Sequence, residues 1–148
     1  MIVDPNLMAL TGVVRISEFS KIQQSGIDVS LKSIKKIIGI GPEKPIYAEV
    51  SGDSGLFELE GHSAYDFECN EYIEVPNDMV ALLIVRSTYN RKGAFITTGL
   101  YDNGFKNFIG GVIHTTIPFS IPINERIAQI VLIRSEHFAQ YEGQYQAS

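Results

Sequence analysis

The sequence predicts an all-β domain, a sandwich or a barrel, and two observations carry this prediction. Glycine and proline recur at short intervals over most of the chain, which leaves little room for long helices. Between them lie short runs rich in β-branched and aromatic residues, a composition typical of strands. Many short strands separated by turn residues are typical of sandwiches and barrels. The predicted strands are residues 46–50, 56–59, 71–75, 80–85, 94–98, 108–116 and 127–133.

Three further segments lack the clear pattern of a strand. Residues 18–24 and 87–92 are short and polar, and we predict a helical turn in each. Residues 31–40 are ambiguous, because their apolar positions fit a helical period while their isoleucines favour a strand. We predict a strand for this segment.

Two of the predicted strands are apolar at every position near their centres. Residues 81–85 and 130–133 contain no polar side chain, whereas residues 72–75 and 117–123 alternate. A strand that is apolar on both sides is expected to be covered on both faces. A second sheet or a neighbouring subunit could provide that cover, so the pattern alone makes an oligomer plausible.

Bulk properties narrow the class of protein. A chain of 148 residues fits one domain, predicted here as residues 1–148. The net charge of −5 and the lack of a Lys/Arg-rich run argue against long nucleic acid as a partner. A single nucleotide needs only a few donors and a divalent cation, and so remains possible. The lone Cys69 and the lack of a signal-like or membrane-spanning run favour a cytoplasmic location.

The chemistry-bearing residues begin with Arg86 and Ser87, which follow an apolar strand. A serine at the start of a helical turn offers a hydroxyl and free backbone N–H groups to an anion, and the arginine adds a fixed positive charge. The same two residues would serve equally as an ion-pair partner and a helix N-cap. On the pair alone, the structural interpretation is favoured.

Two later motifs favour the phosphate-site interpretation of Arg86 and Ser87 over the structural one. The first is GLYDNGF at residues 99–105, in which Asp-Asn-Gly by itself is typical of a tight turn and the phenylalanine of a core. The second is RIAQ at residues 126–129. Its Gln129 lies in an apolar strand, where a buried amide is costly without a partner, so we predict that it contacts a ligand or another subunit.

In order along the chain, SGIDV (25–29), RS (86–87), GLYDNGF and RIAQ resemble the motifs of the dUTPase and dCTP deaminase superfamily. The similarity extends to residues 141–146, which look closest to the deaminase branch. The resemblance implies a distorted jelly-roll, or β-clip, fold with one or two short helical segments. It also implies a homotrimer whose active sites lie at subunit boundaries.

The resemblance further implies an activity, the hydrolysis of dUTP to dUMP and pyrophosphate with Mg²⁺. Asp102 would be the catalytic residue that activates the attacking water, and Phe105 would pack against the deoxyribose. Asp28 would act on the metal through water. The remaining substrate-binding positions would be Arg86, Ser87 and Gln129 at the phosphates and the backbone of Thr98, Gly99 and Leu100 at the base.

The choice of branch depends on one missing carboxylate. Deaminases of the superfamily use a glutamate ten residues after the motif aspartate, and that position here is Val112. No acidic residue lies between Asp102 and Glu125, so a small misalignment would not restore it. Arg91 matches an arginine retained in deaminases, which keeps a deaminase as a weaker alternative.

The chain also departs from the dUTPase pattern. Asn107 stands where a glycine usually follows the motif aromatic, and no Gly-rich, Arg-containing tail follows Tyr145. In family members that tail closes over the triphosphate. Three hypotheses therefore stand in order: a diphosphatase with an open site, a dUTPase-like nucleotide-binding or regulatory protein with little turnover, and a residual dCTP deaminase.

Overall fold

The structure is a computed structural model that describes residues 1–135 and 143–147. Within these residues, no helix is long and apolar enough to cross a bilayer. The elements, in chain order, are α1 (Pro5–Leu10), β1 (Val14–Arg15), β2 (Lys21–Ile22), β3 (Ile27–Ile40), β4 (Pro45–Glu49), β5 (Leu56–Leu59), β6 (Ala64–Glu74), β7 (Met79–Val85), α2 (Ser87–Asn90), β8 (Phe95–Thr97), β9 (Lys106–His114), β10 (Phe119–Pro122) and β11 (Arg126–Arg134).

Nine of the strands form one sheet, whose main path runs β7-β11-β3-β6-β9-β8. β1 joins β6, and β2 and β4 join β3, while β10 and β5 form a separate two-stranded sheet. The long β3 pairs first with β11 and β2 and then with β6 and β4. Register shifts interrupt its pairing with β6 and β4, and such bulges bend a strand and increase its twist. The predicted all-β class is confirmed.

The core is built from the inward-facing residues of the long strands. Along β6, buried and partly exposed residues alternate at every position, as expected for a strand with one face on the core. Cys69 is one of the buried residues, and burial raises the pKa of its thiol well above the usual value. The thiol therefore stays protonated and packs as a small apolar group. Fully buried aliphatic residues of the other strands include Ile27, Val29, Leu31, Ile109, Ile113, Ile127 and Ile130.

Most sequence-based predictions of elements are confirmed. Each predicted strand matches an observed one, and residues 71–75 overlap the end of the longer β6. Residues 31–40 are part of β3, and the turn predicted at 87–92 contains α2. The helical turn predicted at residues 18–24 is wrong, because this segment contains β2, which pairs with β3. Helix α1, which begins with Asp4 as N-cap and Pro5 in its first turn, was not predicted.

The two doubly apolar strands differ in their surroundings. Ile130, Val131 and Leu132 of β11 are all buried, so the prediction of two covered faces is confirmed there. On β7 one face is not covered within one chain, because Leu82 is 38% and Ile84 is 53% exposed, so cover of that face by a neighbouring subunit stays a prediction. β7 lies at the end of the sheet path, and only one of its faces packs on the core. Its other face is an exposed apolar surface.

Candidate functional site

Three neighbouring strands bring the first group of predicted site residues together. Asp28 lies opposite Gln129 in the pairing of β3 with β11, and Arg86 follows directly after β7 on the other side of β11. The Gln129 Nε2 atom donates to Asp28 Oδ1 at 3.3 Å. The Arg86 Nε atom lies 3.6 Å from Asp28 Oδ2. We call Asp28, Arg86, Gln129 and the adjoining Ser87 the phosphate-end group, after the role that the resemblance predicts for them.

Asp28 is the buried centre of this group. Its side chain is 1% exposed, whereas that of Arg86 is 34% exposed. A buried carboxylate is costly unless it is paired and hydrogen-bonded. Gln23, which the sequence analysis missed, supplies a further donor, since its Nε2 atom lies 2.7 Å from Asp28 Oδ2. Asp28 is thus satisfied from inside the protein, while the partly exposed guanidinium is available to an anion in solvent.

Arg86 and Ser87 are positioned by the end of β7 and the start of α2. The Arg86 N–H donates to the Ile127 carbonyl at 2.9 Å, which extends the pairing with β11. Arg86 is the N-cap residue of α2 and Ser87 its first residue. The alternative interpretation of Arg86 as an ion-pair partner is therefore confirmed, whereas that of Ser87 as an N-cap is wrong. Ser87 is exposed.

The short α2 is fixed by a buried tyrosine. The Tyr89 hydroxyl donates to Glu125 Oε2 at 2.6 Å, just before β11 begins. Burial and the bond to this carboxylate raise the pKa of Tyr89 far above its usual value, so the hydroxyl remains a donor. This bond ties the helix that carries Ser87 to the strand that carries Gln129.

Gly26 allows the turn before β3 to approach β11 closely. A Cβ atom at this position would lie 2.5 Å from the Ile130 carbonyl oxygen and 2.8 Å from Gln129 Cγ. The backbone oxygen belongs to a buried strand and has little freedom to move. Glycine in the SGIDV motif is therefore a requirement of packing beside Gln129.

We expect Gly26→Ala to lower the free energy of unfolding by about 1–3 kcal/mol, the usual cost of forcing an extra carbon into a packed site. Thermal unfolding followed by circular dichroism measures the effect. Gly39→Ala, on the strand that follows Gly26, is the matched control, because its Cβ would lie 3.6 Å from the nearest atom, Ile46 Cδ1. Equal melting temperatures for the two variants would contradict this account of Gly26.

The second group of predicted site residues lies around the turn at residues 102–105. Gly104 has φ +85°, a conformation that favours glycine. The Phe105 N–H donates to the Asp102 carbonyl at 3.1 Å, and Gly104 and Phe105 both bond to the backbone of Val75. The segment is thus a tight turn that holds the half-buried Asp102 in a fixed place.

Aromatic packing anchors this turn to the sheet. The Tyr101 hydroxyl donates to the Gly110 carbonyl of β9 and accepts from the Gly110 N–H. The rings of Tyr101 and Phe105 pack with their centroids 5.1 Å apart. Phe105 is 7% exposed, so within one chain it is a core residue, and its contact with a sugar stays a prediction.

The segment predicted to contact the base follows β8. Thr98 is half-buried, and Gly99 and Leu100 are exposed. A Cβ on Gly111 would lie 2.5 Å from Thr98 Cγ2, so glycine at this position of β9 lets Thr98 lie close to the sheet. We call Thr98, Gly99, Leu100, Asp102 and Phe105 the sugar-end group, after the role that the resemblance predicts for them.

One chain does not bring the two groups together. Tyr101 is bridged to Ala81, near the start of β7, whereas Arg86 follows the last residue of that strand. Arg86 lies five residue steps beyond Ala81 along an extended chain, a distance of about 16 Å. Asp102 and Ser87 therefore lie at opposite ends of β7.

A C-terminal segment contacts the turn at residues 102–105 and the start of β9. The Gln146 side chain accepts from the Lys106 N–H at 2.8 Å and donates to the Gly104 carbonyl at 2.9 Å. The Ala147 N–H donates to the Lys106 carbonyl at 3.0 Å. Asn107, which departs from the expected glycine, donates its side-chain amide to the Tyr145 carbonyl at 3.1 Å. The sequence analysis did not single out Gln146, and only the fold shows its contact with this turn.

Comparison with known proteins agrees with the motifs. Residues 6–135 match the model of the family described as dCTP deaminase-like. The chain belongs to this family. A relative named as a probable deoxyuridine 5′-triphosphate nucleotidohydrolase, from Methanopyrus kandleri, is 36% identical over 132 residues, which cover 83% of this chain and 86% of the relative. One of the same name from Archaeoglobus fulgidus is 31% identical over 137 residues, covering 85% of this chain and 80% of the relative.

Solved structures support the fold assignment. The dCTP deaminase of Agrobacterium tumefaciens has a TM-score of 0.71 at 17% identity, covering 95% of this chain and 50% of that chain. This protein thus spans half the length of that deaminase. The native EIAV dUTPase has a TM-score of 0.58 at 11% identity, with 91% of this chain and 94% of that chain covered. The predicted dUTPase-like fold and the superfamily resemblance are confirmed.

The side chains of this dCTP deaminase-like protein can be compared with the ligands that a metal ion requires. Among residues 1–135 and 143–147, no three or more His, Cys, Asp or Glu side chains form a group that could hold a metal ion. Asp28 is a single carboxylate whose two oxygens already accept from Gln129 and Gln23. Such a carboxylate fits an indirect contact to hydrated Mg²⁺, an ion that keeps several of its waters and takes phosphate oxygens as ligands.

Proposed function

We propose that this protein is a dUTP diphosphatase that converts dUTP and water to dUMP and pyrophosphate with Mg²⁺. The observation that supports this proposal most directly is the contact of buried Asp28 with Arg86 and Gln129. The three residues come from three separate motifs. The proposal is further supported by two relatives, 36% and 31% identical, that are named as probable dUTP nucleotidohydrolases.

The phosphate-end group binds the triphosphate. The Arg86 guanidinium offers a fixed positive charge and several donors to phosphate oxygens. Ser87 adds a hydroxyl at the start of α2, and Gln129 an amide held in place by its bond to Asp28. Mg²⁺, when bound with the nucleotide, neutralises charge on the phosphates. Asp28 would contact the hydrated ion through water.

The sugar-end group positions the attack. Asp102 is fixed by the tight turn and half-buried, so its carboxylate can orient a water and accept its proton as the water oxygen bonds to the α-phosphorus. The bond from that phosphorus to the bridging oxygen breaks, and pyrophosphate leaves. Phe105 packs against the deoxyribose and excludes a 2′-hydroxyl. The backbone of Thr98, Gly99 and Leu100 recognises the uracil.

A homotrimer completes the site. The two groups lie at opposite ends of β7 in one chain, so a nucleotide that contacts both takes them from different subunits. The exposed apolar face of β7, with Leu82 and Ile84, is a surface suited to a subunit interface. Three equivalent sites at subunit boundaries follow from such an assembly. We also place the protein in the cytoplasm, since its lone cysteine is buried and unpaired.

The test is product analysis with dUTP, dCTP and UTP in the presence of Mg²⁺. We expect dUMP and pyrophosphate from dUTP, and little turnover of the other two nucleotides. Ammonia release from dCTP would contradict the proposal, because Val112 occupies the position of the deaminase glutamate. Binding of dUTP without turnover would also contradict it and would favour a regulatory nucleotide-binding protein.

A further inference from the structure

Glu71 is a fully buried carboxylate outside every motif of the proposed site. It occupies an inward position of β6 and is 0% exposed. Four donors reach it: the Ser17 and Ser20 hydroxyls at 2.6 Å each, and the Ser30 hydroxyl and N–H at 2.8 Å each. In the described part of the chain, no cationic side chain lies within ion-pair distance of it. Burying a carboxylate in this way is costly, and only its full set of donors offsets the cost.

The three serines belong to two segments that are separate in sequence. Ser30 lies on β3, two residues after Asp28, so both side chains share one face of the strand. Ser17 and Ser20 lie on the loop before β2, where the Ser17 N–H also donates to the Ser20 hydroxyl at 2.9 Å. Glu71 therefore ties this loop to the strand that carries Asp28.

The tied loop leads directly to Gln23. β2 begins at Lys21, immediately after Ser20, and pairs with Asp28 and Ile27. Both residues of β2 are exposed, so little apolar burial holds this short strand in place. Its position depends on its hydrogen bonds and on the loop before it. The Gln23 side chain, one residue beyond β2, then reaches Asp28 Oδ2.

We propose that Glu71 is a positioning residue of the phosphate-end group. Through Ser17 and Ser20 it holds Gln23 against Asp28, and Gln23 together with Gln129 fixes the orientation of the Asp28 carboxylate. The inference rests on the proposed function, because the benefit of an oriented Asp28 is its contact to hydrated Mg²⁺ and the phosphates. Without this support, the Asp28 carboxylate can rotate and more Mg²⁺ is required.

The test uses the double variant Ser17→Ala/Ser20→Ala, which removes the two loop donors and leaves Ser30 on Glu71. We expect the Mg²⁺ concentration for half-maximal pyrophosphate release to rise about tenfold, as for losses of residues that orient metal ligands. At saturating Mg²⁺, kcat should stay close to that of the wild type. Amide hydrogen exchange at residues 21–23 should become faster. Ser17→Thr/Ser20→Thr, which keeps both hydroxyls, should restore the wild-type Mg²⁺ requirement.

Ser120→Ala is the matched control. The Ser120 hydroxyl donates to Glu58 Oε2 at 2.6 Å, an exposed Ser–Glu bond between β10 and β5. A double alanine variant that matches this control in Mg²⁺ requirement and in exchange at residues 21–23 would overturn the proposal, even if its melting temperature falls. If the wild type releases no pyrophosphate from dUTP, the proposed function fails. Exchange at residues 21–23 then decides alone whether Glu71 holds Gln23, because it needs no turnover.

Discussion

Replacing Asp102 with asparagine is expected to lower the rate of pyrophosphate release from dUTP by about 10²–10⁴-fold, the contribution of a general base. An amide can orient a water but does not accept its proton. Asparagine has nearly the same shape as aspartate and also suits a tight turn, so the turn at residues 102–105 should keep its structure. Affinity for dUTP should therefore change little.

Steady-state kinetics and calorimetric binding of dUTP measure these two effects separately. Asp78→Asn is the control, because Asp78 is an exposed carboxylate whose Oδ2 pairs with Arg134 Nη1 at 2.9 Å on the surface, and such pairs contribute little. Its activity should equal that of the wild type. An Asp102→Asn variant that keeps wild-type kcat would remove Asp102 from the catalytic step and leave it as a turn residue.

Mixing two inactive variants is expected to restore activity, if sites are shared between subunits. Arg86→Gln removes the positive charge of the phosphate end and should lower activity about 10²-fold, as for loss of one donor to a reacting oxyanion. Asp102→Asn disables the sugar end. When the two are unfolded together at equal amounts and refolded, about a quarter of the sites in random trimers take both intact residues. Activity should rise to about that fraction of the wild-type value.

The control for this experiment is a mixture of Arg86→Gln with Gln129→Ala. Both residues contact Asp28 within one chain, so every phosphate end in the mixture carries one defect or the other. This mixture should show no recovery. If the Arg86→Gln and Asp102→Asn mixture also shows none while trimers form, then each site uses one chain, and the proposed subunit boundary is wrong.

Structural features that depend on residues close in sequence could be predicted. Strands could be located because β-branched runs ended at glycine or proline, and α2 was expected where β7 ends in polar residues. Gln129 was predicted to contact a ligand or another subunit, and this stays a prediction; within the chain its half-buried amide bonds to Asp28, 101 positions away. For the strands and α2 the physical requirement, a favoured backbone conformation, is local to the residues concerned.

Predictions failed where distant contacts outweighed local pattern. Residues 18–24 were expected to be helical, but Ser17 and Ser20 bond to Glu71 more than 50 positions away, and this draws the segment onto β3. For β7 the apolar run allowed cover by a second sheet or by a neighbouring subunit, and it could not show that one face is exposed within a single chain, because a hydrophobic pattern does not show where in the sheet a strand lies.

The sequence by itself determined the class of fold and the motifs. Turn residues, strand propensity and the order of the motifs depend only on which residues follow one another along the chain. Only the tertiary structure decided which side chains meet. It placed Gln23 and Arg86 on Asp28 and Gln146 on the turn after Asp102. It also separated Asp102 from Ser87 by the length of β7. These relations depend on strand order and register, which are set by the cooperative packing of the whole sheet rather than by any one segment.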